Sequence, residues 1–349
     1  MFNIEDYDYI LNPDLIAQIP ALNRDQSRLL LVDRSNSSIA DYHFFDLPAL
    51  LKPGDIIVVN NTKVIPARIY GRKESGGKVE ILVLDHNPDK KKINTRWCLL
   101  KSSKKPRKGV RLFFKKNTVG IIEEIGESGL IKIIFEGSLS IDDLLEDNGV
   151  MPLPPYIKRR NNRFSALDRE RYQTVFSRWK GAIAAPTAGL HFTYESVDRL
   201  RDAGIGLVEL TLHVGYGTFR PVRVKDIRMH RIGHETYIIE PDTAEAVNRA
   251  RKEKRRVIAV GTTVVRALES AVDSKGDIIP GRGRTGLFIT PGYKFRAIDG
   301  MITNFHLPKS SLLFLVSAFG GYDLIKRAYK RAIEKEYRFY SYGDAMMVL

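Results

Sequence analysis

The sequence predicts an α/β fold: a predominantly α/β sheet domain interrupted by an inserted small β-barrel domain. Three observations lead there. Residues 181–270 alternate short apolar runs with amphipathic segments, the pattern of strands and helices layered around a sheet. Residues 64–136 carry short β-rich runs with no helical periodicity, the pattern of a barrel. Asn60-Asn61-Thr62-Lys63 leads into the second kind of sequence and Met151-Pro152-Leu153-Pro154-Pro155-Tyr156 leads out of it. The barrel is therefore expected at 64–149, inserted into a discontinuous α/β domain made of 1–63 and 150–349.

The barrel runs are Val64–Arg72, Val79–Asp85, Arg96–Lys101, Val110–Lys115, Val119–Ile125 and Leu130–Phe135, separated by Gly, Asn, Asp and Lys turns. Between the third and fourth lies Lys101-Ser102-Ser103-Lys104-Lys105-Pro106-Arg107-Lys108, which reads by itself as a solvated hairpin tip. In the later half a strand is expected at Ala182–Ala185, then a helix over Tyr194–Ala203 stopped by Gly204, and a strand at Leu207–Leu212. A helix follows over Ala244–Arg255, with Asp242 and Glu245 as a capping box, then strand Val257–Val260 and a helix through Arg266-Ala267-Leu268-Glu269.

Composition narrows the class. With 349 residues, 43% hydrophobic and 28% charged, the chain can bury a substantial core and is long enough for two domains. Cys98 is the single cysteine, so an internal disulfide and a Cys-pair zinc or iron–sulfur site are excluded, and a reducing compartment, the cytoplasm, is expected. The N-terminus Met1-Phe2-Asn3-Ile4-Glu5-Asp6-Tyr7-Asp8 is acidic rather than a basic leader, and the apolar run Leu312–Phe319 is too short to span a bilayer. The net charge of +15 is local: residues 1–50 hold 3 basic and 8 acidic residues (−5), residues 52–116 hold 18 and 5 (+13). Such a one-sided field favours a polyanion, nucleic acid ahead of an anionic membrane because no basic amphipathic helix accompanies it; a generally basic soluble protein is the plainer alternative.

Four loops, each following an apolar run, carry the chemistry: Ala185-Pro186-Thr187-Ala188-Gly189-Leu190-His191-Phe192-Thr193, His213-Val214-Gly215-Tyr216-Gly217-Thr218-Phe219-Arg220-Pro221, Val260-Gly261-Thr262-Thr263-Val264-Val265-Arg266 and Thr303-Asn304-Phe305-His306-Leu307-Pro308. If the runs are strands, the loops gather at one sheet edge, where α/β sheets bind ligands. Other motifs fail on context. Gly281-Arg282-Gly283-Arg284-Thr285-Gly286 has the letters of a dinucleotide loop, but the β-like Leu287-Phe288-Ile289-Thr290 follows where a helix is required, so it is assigned to a flexible loop. His230 and His234 have the spacing of a helical metal pair, yet they run into the strand-like Thr236-Tyr237-Ile238-Ile239 with no third ligand. No serine elbow, Walker loop or cysteine nucleophile is present.

The four loops, together with Arg24-Asp25-Gln26-Ser27-Arg28-Leu29-Leu30, Asn60-Asn61-Thr62-Lys63-Val64-Ile65-Pro66-Ala67-Arg68, Met151-Pro152-Leu153-Pro154-Pro155-Tyr156-Ile157, Arg171-Tyr172-Gln173-Thr174-Val175 and Arg338-Phe339-Tyr340-Ser341-Tyr342-Gly343-Asp344-Ala345-Met346, closely resemble one family. That family is the S-adenosylmethionine:tRNA ribosyltransferase-isomerases of queuosine biosynthesis. The resemblance runs in unbroken order from about Asp14 to the C-terminus. It departs at Gly286, where the family usually has Asp, and at His230-Arg231-Ile232-Gly233-His234-Glu235, which looks like the family's His-x-Met-His-x-Glu with its second His displaced by one place.

The resemblance implies transfer and rearrangement of the ribosyl part of S-adenosylmethionine onto the 7-aminomethyl-7-deazaguanine at the tRNA wobble position, giving epoxyqueuosine-tRNA with release of adenine and methionine. It implies a cytoplasmic monomer with tRNA and S-adenosylmethionine as partners, no metal and no membrane. The sulfonium acidifies the neighbouring C5′ hydrogen, so a base is needed, and a donor eases adenine's departure; His191, His213 and His306 are the candidates. Candidate substrate-binding residues are Thr187, Gly189, Gly215, Gly217, Thr218, Phe219, Gly261, Thr262, Thr263, Arg266, Asn304, Tyr156 and Tyr172. Glycines allow close approach to backbone amides, threonines bond ribose, Arg266 holds an anion and aromatics stack on a base. Each has an ordinary alternative: a turn, a strand-end cap, an ion pair of Arg266 with Glu269, core burial. Lys101, Lys104, Lys105, Arg107 and Lys108 are the candidate tRNA contacts. A non-catalytic RNA-binding protein would leave the imidazole and threonine loops unexplained, and a small-molecule nucleoside or methyl transferase would leave the +13 segment idle.

Overall fold

The computed structural model describes residues 1–84, 94–160, 162–215, 217 and 222–349. In chain order its first half holds β1 (Arg28–Asp33), β2 (Ser38–His43), the short α1 (Leu47–Leu50), β3 (Ile56–Asn60), β4 (Thr62–Val64), β5 (Arg68–Lys73), β6 (Lys78–Val83), β7 (Thr95–Ser102), β8 (Arg111–Phe113), β9 (Val119–Ile125), β10 (Leu130–Glu136) and α2 (Ile141–Asn148). The second half holds α3 (Ser165–Arg171), β11 (Trp179–Ala182), α4 (Tyr194–Asp202), β12 (Gly206–Leu212), β13 (Glu235–Ile239), α5 (Pro241–Lys252), β14 (Val257–Val260), α6 (Thr262–Ala271), β15 (Gly281–Thr285), β16 (Gly300–Asn304), α7 (Ser311–Gly320), α8 (Tyr322–Glu334) and β17 (Ala345–Val348).

A nine-stranded mixed sheet runs in the order β15-β13-β12-β3-β14-β16-β17-β1-β2. Its centre, β12, β3, β14 and β16, is parallel. These strands are apolar at nearly every position because both faces are covered. Ile56 and Val58 of β3 enter one core with α5, α6, α7 and α8, while Ile57 and Val59 enter another with Leu47, Phe192, Val197 and Leu200. Parallel pairing brings the carboxyl ends of β12, β3, β14 and β16 to one edge. β17 is antiparallel to β16 and parallel to β1, so the segments entering both, Tyr340-Ser341 and Ser27, meet the same edge.

The intervening segment closes a six-stranded antiparallel barrel, β10-β7-β6-β5-β8-β9, around Ile69, Ile81, Cys98, Leu112, Ile122 and Ile133. Several expectations change in detail. Val64–Arg72 is not one strand: Pro66 interrupts it, β4 pairing with β11 in a separate two-stranded sheet and β5 starting the barrel. Ala182 accordingly ends β11, and Ile183 to Ala185 join no ladder. Asp85 lies outside the described residues. The basic turn is no hairpin tip, since β7 neighbours β6 and β10 while β8 neighbours β5 and β9; it crosses the end of the barrel. Asp242 and Glu245 form no capping box, because Pro241 occupies the first turn of α5 and Glu240 is its N-cap without a side-chain hydrogen bond. Gly281–Thr285 is a strand on β13 rather than a flexible loop, and 287–290 form no strand.

Candidate functional site

The sheet edge carries two adjoining clefts. The first is walled by Thr187, Thr262, Thr263, His306, Asn304 and Tyr156. The second is walled by Gly215, Gly217, His234, Glu235, Arg266 and Phe288, and Leu312 of α7 belongs to both. Three of the four loops predicted to converge supply the first, and the fourth supplies Val214 to the first and Gly215 and Gly217 to the second.

The β14–α6 loop shows why these residues sit as they do. Gly261 is the N-cap of α6 with φ +90°, a backbone state favouring glycine, and it has no side-chain oxygen to cap the helix. The amides of Thr262 and Thr263 at the first helical positions have no intrahelical acceptor and stand on the cleft wall, with the positive end of the helix behind them. Asn60, ending β3, locks this corner: its amide nitrogen donates to Leu212 O at 3.0 Å and Thr263 Oγ1 at 3.3 Å, and its oxygen accepts from Leu212 N and Thr62 N.

The three imidazoles occupy different positions. His306 lies on the first cleft's wall, its Nε2 2.8 Å from Thr303 Oγ1, and its backbone N–H donates to Tyr329 Oη at 2.9 Å. Burial pushes its pKa down to about 3. His191 is buried behind Asn304, with Nε2 3.2 Å from Asn304 Nδ2 and Nδ1 2.7 Å from Ser27 Oγ, and its ring stacks on Phe44. Burial, reinforced by Arg24 and Arg338, holds its pKa at about 3. His213 lines neither cleft. Its Nδ1 is 2.8 Å from Thr62 Oγ1, where the chain leaves the sheet for the barrel, and its ring leaves no room for a side chain at Gly181.

Asn304 is 2% exposed. Its Nδ2 donates to Tyr340 O at 3.1 Å as well as to His191, which fixes the amide's orientation and leaves Oδ1, on a cleft-lining residue, with no donor among the described residues. Tyr156 lines the cleft with its hydroxyl 2.7 Å from Ser341 Oγ and its ring against Tyr340. Tyr172 and Gly189 are brought to neither cleft: Tyr172 is fully buried against Tyr342, and Gly189 packs on Thr174. Thr218 and Phe219 lie outside the described residues. Lys101, Lys104, Lys105, Arg107 and Lys108 are all exposed.

Arg266 does not pair with Glu269. Glu269 accepts from the backbone N–H groups of Arg296 and Ala297 and from Tyr293 Oη, whereas Arg266 forms a buried ion pair with Glu235. Sequence reading missed Glu235, although a signal was there. Along β13, Glu235, Tyr237 and Ile239 alternate inward, and a carboxylate on that face requires a cationic partner. Ser341 and Leu312 also line the first cleft and Ser27 holds His191; in the sequence Ser27 and Ser341 stood only in family-like segments and Leu312 only in an apolar run. Among the described residues no group of three or more His, Cys, Asp or Glu is placed to hold a metal, and no helix is long and apolar enough to cross a membrane.

A strand-end cleft with helix-terminal amides, small-residue loops and buried imidazoles defines an α/β protein that binds a small polar ligand at its sheet edge. Comparison with known proteins narrows the class. Residues 4–348 match the family model described as queuosine biosynthesis protein, and the chain belongs to that family. It is 48% identical over 345 residues, 99% of each chain, to the S-adenosylmethionine:tRNA ribosyltransferase-isomerase of Geobacter sulfurreducens. It is 49% identical over 346 residues, again 99% of each chain, to that of Geobacter metallireducens. The crystal structure of S-adenosylmethionine tRNA ribosyltransferase from Thermotoga maritima is similar with a TM-score of 0.56 and 32% identity, covering 99% of this chain and 100% of that one.

Proposed function

We propose that the chain is an S-adenosylmethionine:tRNA ribosyltransferase-isomerase. It moves the ribosyl part of S-adenosylmethionine onto the aminomethyl group of 7-aminomethyl-7-deazaguanine at the tRNA wobble position and rearranges it, releasing adenine and methionine. The observation that carries this reading is the 48% identity spanning 99% of both chains, which leaves no segment of the relative without a counterpart. The site's chemistry agrees. The first cleft offers hydroxyls and helix-terminal amides to a ribose, the Asn304 oxygen to an N–H, and the aromatic Tyr156 to a base. His306, an uncharged imidazole on the cleft wall bonded to Thr303, is the group we assign to proton transfer. His191, shielded by Asn304, acts by holding that amide in place. His213 stands towards the barrel connection, on the side from which we place the tRNA.

The barrel surface with its exposed Lys101–Lys108 turn serves as the polyanion-binding face, and the reaction needs no metal. We place the enzyme in the cytoplasm as a monomer. The test is incubation with S-adenosylmethionine and precursor-bearing tRNA. Adenine and methionine are expected in equal amounts, with a mass gain on the tRNA, and only when the aminomethyl base is present. Methyl transfer with release of S-adenosylhomocysteine overturns the proposal, and so does RNA binding without any adenine release.

A further inference from the structure

Arg266 has an unsatisfied hand. It is 6% exposed and Glu235 7%. Its Nη1 donates to Glu235 Oε2 and its Nε to Leu287 O at 2.9 Å, while Nη2 is buried with no acceptor among the described residues. A guanidinium carries five N–H donors in a rigid fork, and leaving the outer ones bare in a buried wall is costly unless something occupies them. Arg266 lines the second cleft, so the missing acceptor is a ligand there. Facing the same space is the start of the ten-residue helix α7. Ser310 caps it through Leu313 N at 3.3 Å, leaving the amides of Ser311 and Leu312 without intrahelical acceptors, and both residues line the cleft. The two features are independent and both ask for an anion.

Charge balance selects the anion. Among the described residues, Arg266 and Glu235 cancel, and Glu235 also takes the Gly215 N–H at 2.9 Å. A phosphate entering beside Glu235 would leave net negative charge buried. An α-amino acid brings one carboxylate and one ammonium, so the buried sum stays zero. Leu287, Phe288, Ile289 and Leu315 suit a methylene chain, and His234 adds a polar wall beside them. Leu312 is common to both clefts, so one molecule can extend from the first into the second. Resting on the ribosyltransferase reading above, we infer that the second cleft binds the amino-acid end of S-adenosylmethionine, with Arg266 Nη2 and the α7 amides on its carboxylate and Glu235 nearest its ammonium.

The test begins with the unmodified enzyme in the presence of substrate tRNA, comparing S-adenosylmethionine with its decarboxylated analogue, which keeps the nucleoside and the sulfonium. The analogue is expected to compete on the order of 10- to 100-fold more weakly, the size of one lost charge-assisted hydrogen-bonded contact. Arg266→Lys, which keeps the charge but removes the fork, is expected to raise KM for S-adenosylmethionine by roughly 10-fold. The same variant should leave affinity for the analogue and for tRNA as they were. Equal competition by the two compounds overturns the inference, as does a variant that weakens tRNA instead, which would place an RNA phosphate on Arg266. If Arg266→Lys does not fold, the analogue comparison decides alone. An unmodified enzyme that releases no adenine from S-adenosylmethionine defeats the parent reading rather than this one.

Discussion

The protonation of His191 is fixed by its neighbours. Asn304 gives it an N–H, so Nε2 must be a lone pair, and Ser27 Oγ donates to Arg24 O at 3.2 Å, so Nδ1 carries the hydrogen. Charging the ring would set two donors face to face, in agreement with a pKa held at about 3 by burial and by Arg24 and Arg338. In the unfolded chain the same group titrates near its ordinary value of 6.5. As pH falls from 6.5 towards 3 the unfolded state therefore binds the extra proton and stability is lost, fully present above this window and lost within it. By pH 5 His191 alone removes about 2 kcal/mol, before the carboxylates begin to protonate. His306, its pKa also pushed down to about 3 by burial, shifts stability in the same direction. Urea unfolding at pH 7.5 and pH 5 should show the loss, and His191→Asn should make the two midpoints more alike; an unchanged difference between them refutes the neutral buried imidazole. His306 is expected to behave as a chemical group. His306→Ala should lower turnover by on the order of 10²-fold or more without unfolding, measured as adenine release, with no kinetic titration near pH 6.5 from this residue. That His306 would reach the ligand cleft was legible in its strand-end loop. That His191 would sit one layer behind was not, because sequence cannot tell which loop residue points to the ligand and which supports it.

At the scale of the element, the β14–α6 junction depends on Gly261. A Cβ there meets only Ala188 and Thr263, both at 3.7 Å, so space permits a side chain and the φ of +90° is what resists it. Gly261→Ala should cost about 1–3 kcal/mol by denaturant unfolding, the penalty for a side chain in an extended positive-φ conformation that only glycine adopts readily. It should also weaken S-adenosylmethionine binding by displacing the Thr262 and Thr263 amides; a variant of ordinary stability and affinity would show that the corner relaxes freely. The strands of the central sheet were readable because burial on both faces makes them continuous apolar runs between glycine-marked turns, as at Val257–Val260. Elements that depend on distant partners were not. Gly281–Thr285 becomes a strand only because β13 offers an edge, and Glu235 is neutralised only because α6 brings Arg266 beside it. Asp242 has the letters of a cap, but the N-cap is Glu240, two residues earlier, and Pro241 is the first helical residue.

Over the whole molecule, the proposed division of labour runs between the sheet edge and the barrel. β5 begins at Arg68, paired with Val150 at the junction with the sheet, and runs six residues to Lys73, whose Nζ donates to Lys104 O at 3.2 Å. The Lys101–Lys108 turn therefore stands at the far end of the barrel, roughly 20 Å from that junction at ~3.3 Å per residue. A small substrate in the clefts does not extend so far, whereas a tRNA bound at the sheet edge by its anticodon does. Among the described residues, only Lys101 of the five basic side chains has an acidic partner, Glu80, at 3.9 Å, and it is 86% exposed, so the cluster keeps its charge for an outside partner. Changing Lys101, Lys104, Lys105, Arg107 and Lys108 to Ser should weaken tRNA binding and leave S-adenosylmethionine affinity unaltered. Each phosphate contact releases counterions, so if half of the five touch phosphate the slope of log affinity against log salt should flatten by about 2. Filter binding across a salt series measures it. A slope identical to that of the unmodified enzyme would reduce this turn to solvated surface and move the tRNA face to the exposed Lys158, Arg160 and Arg163 that follow the Pro-rich segment, nearer the clefts in sequence.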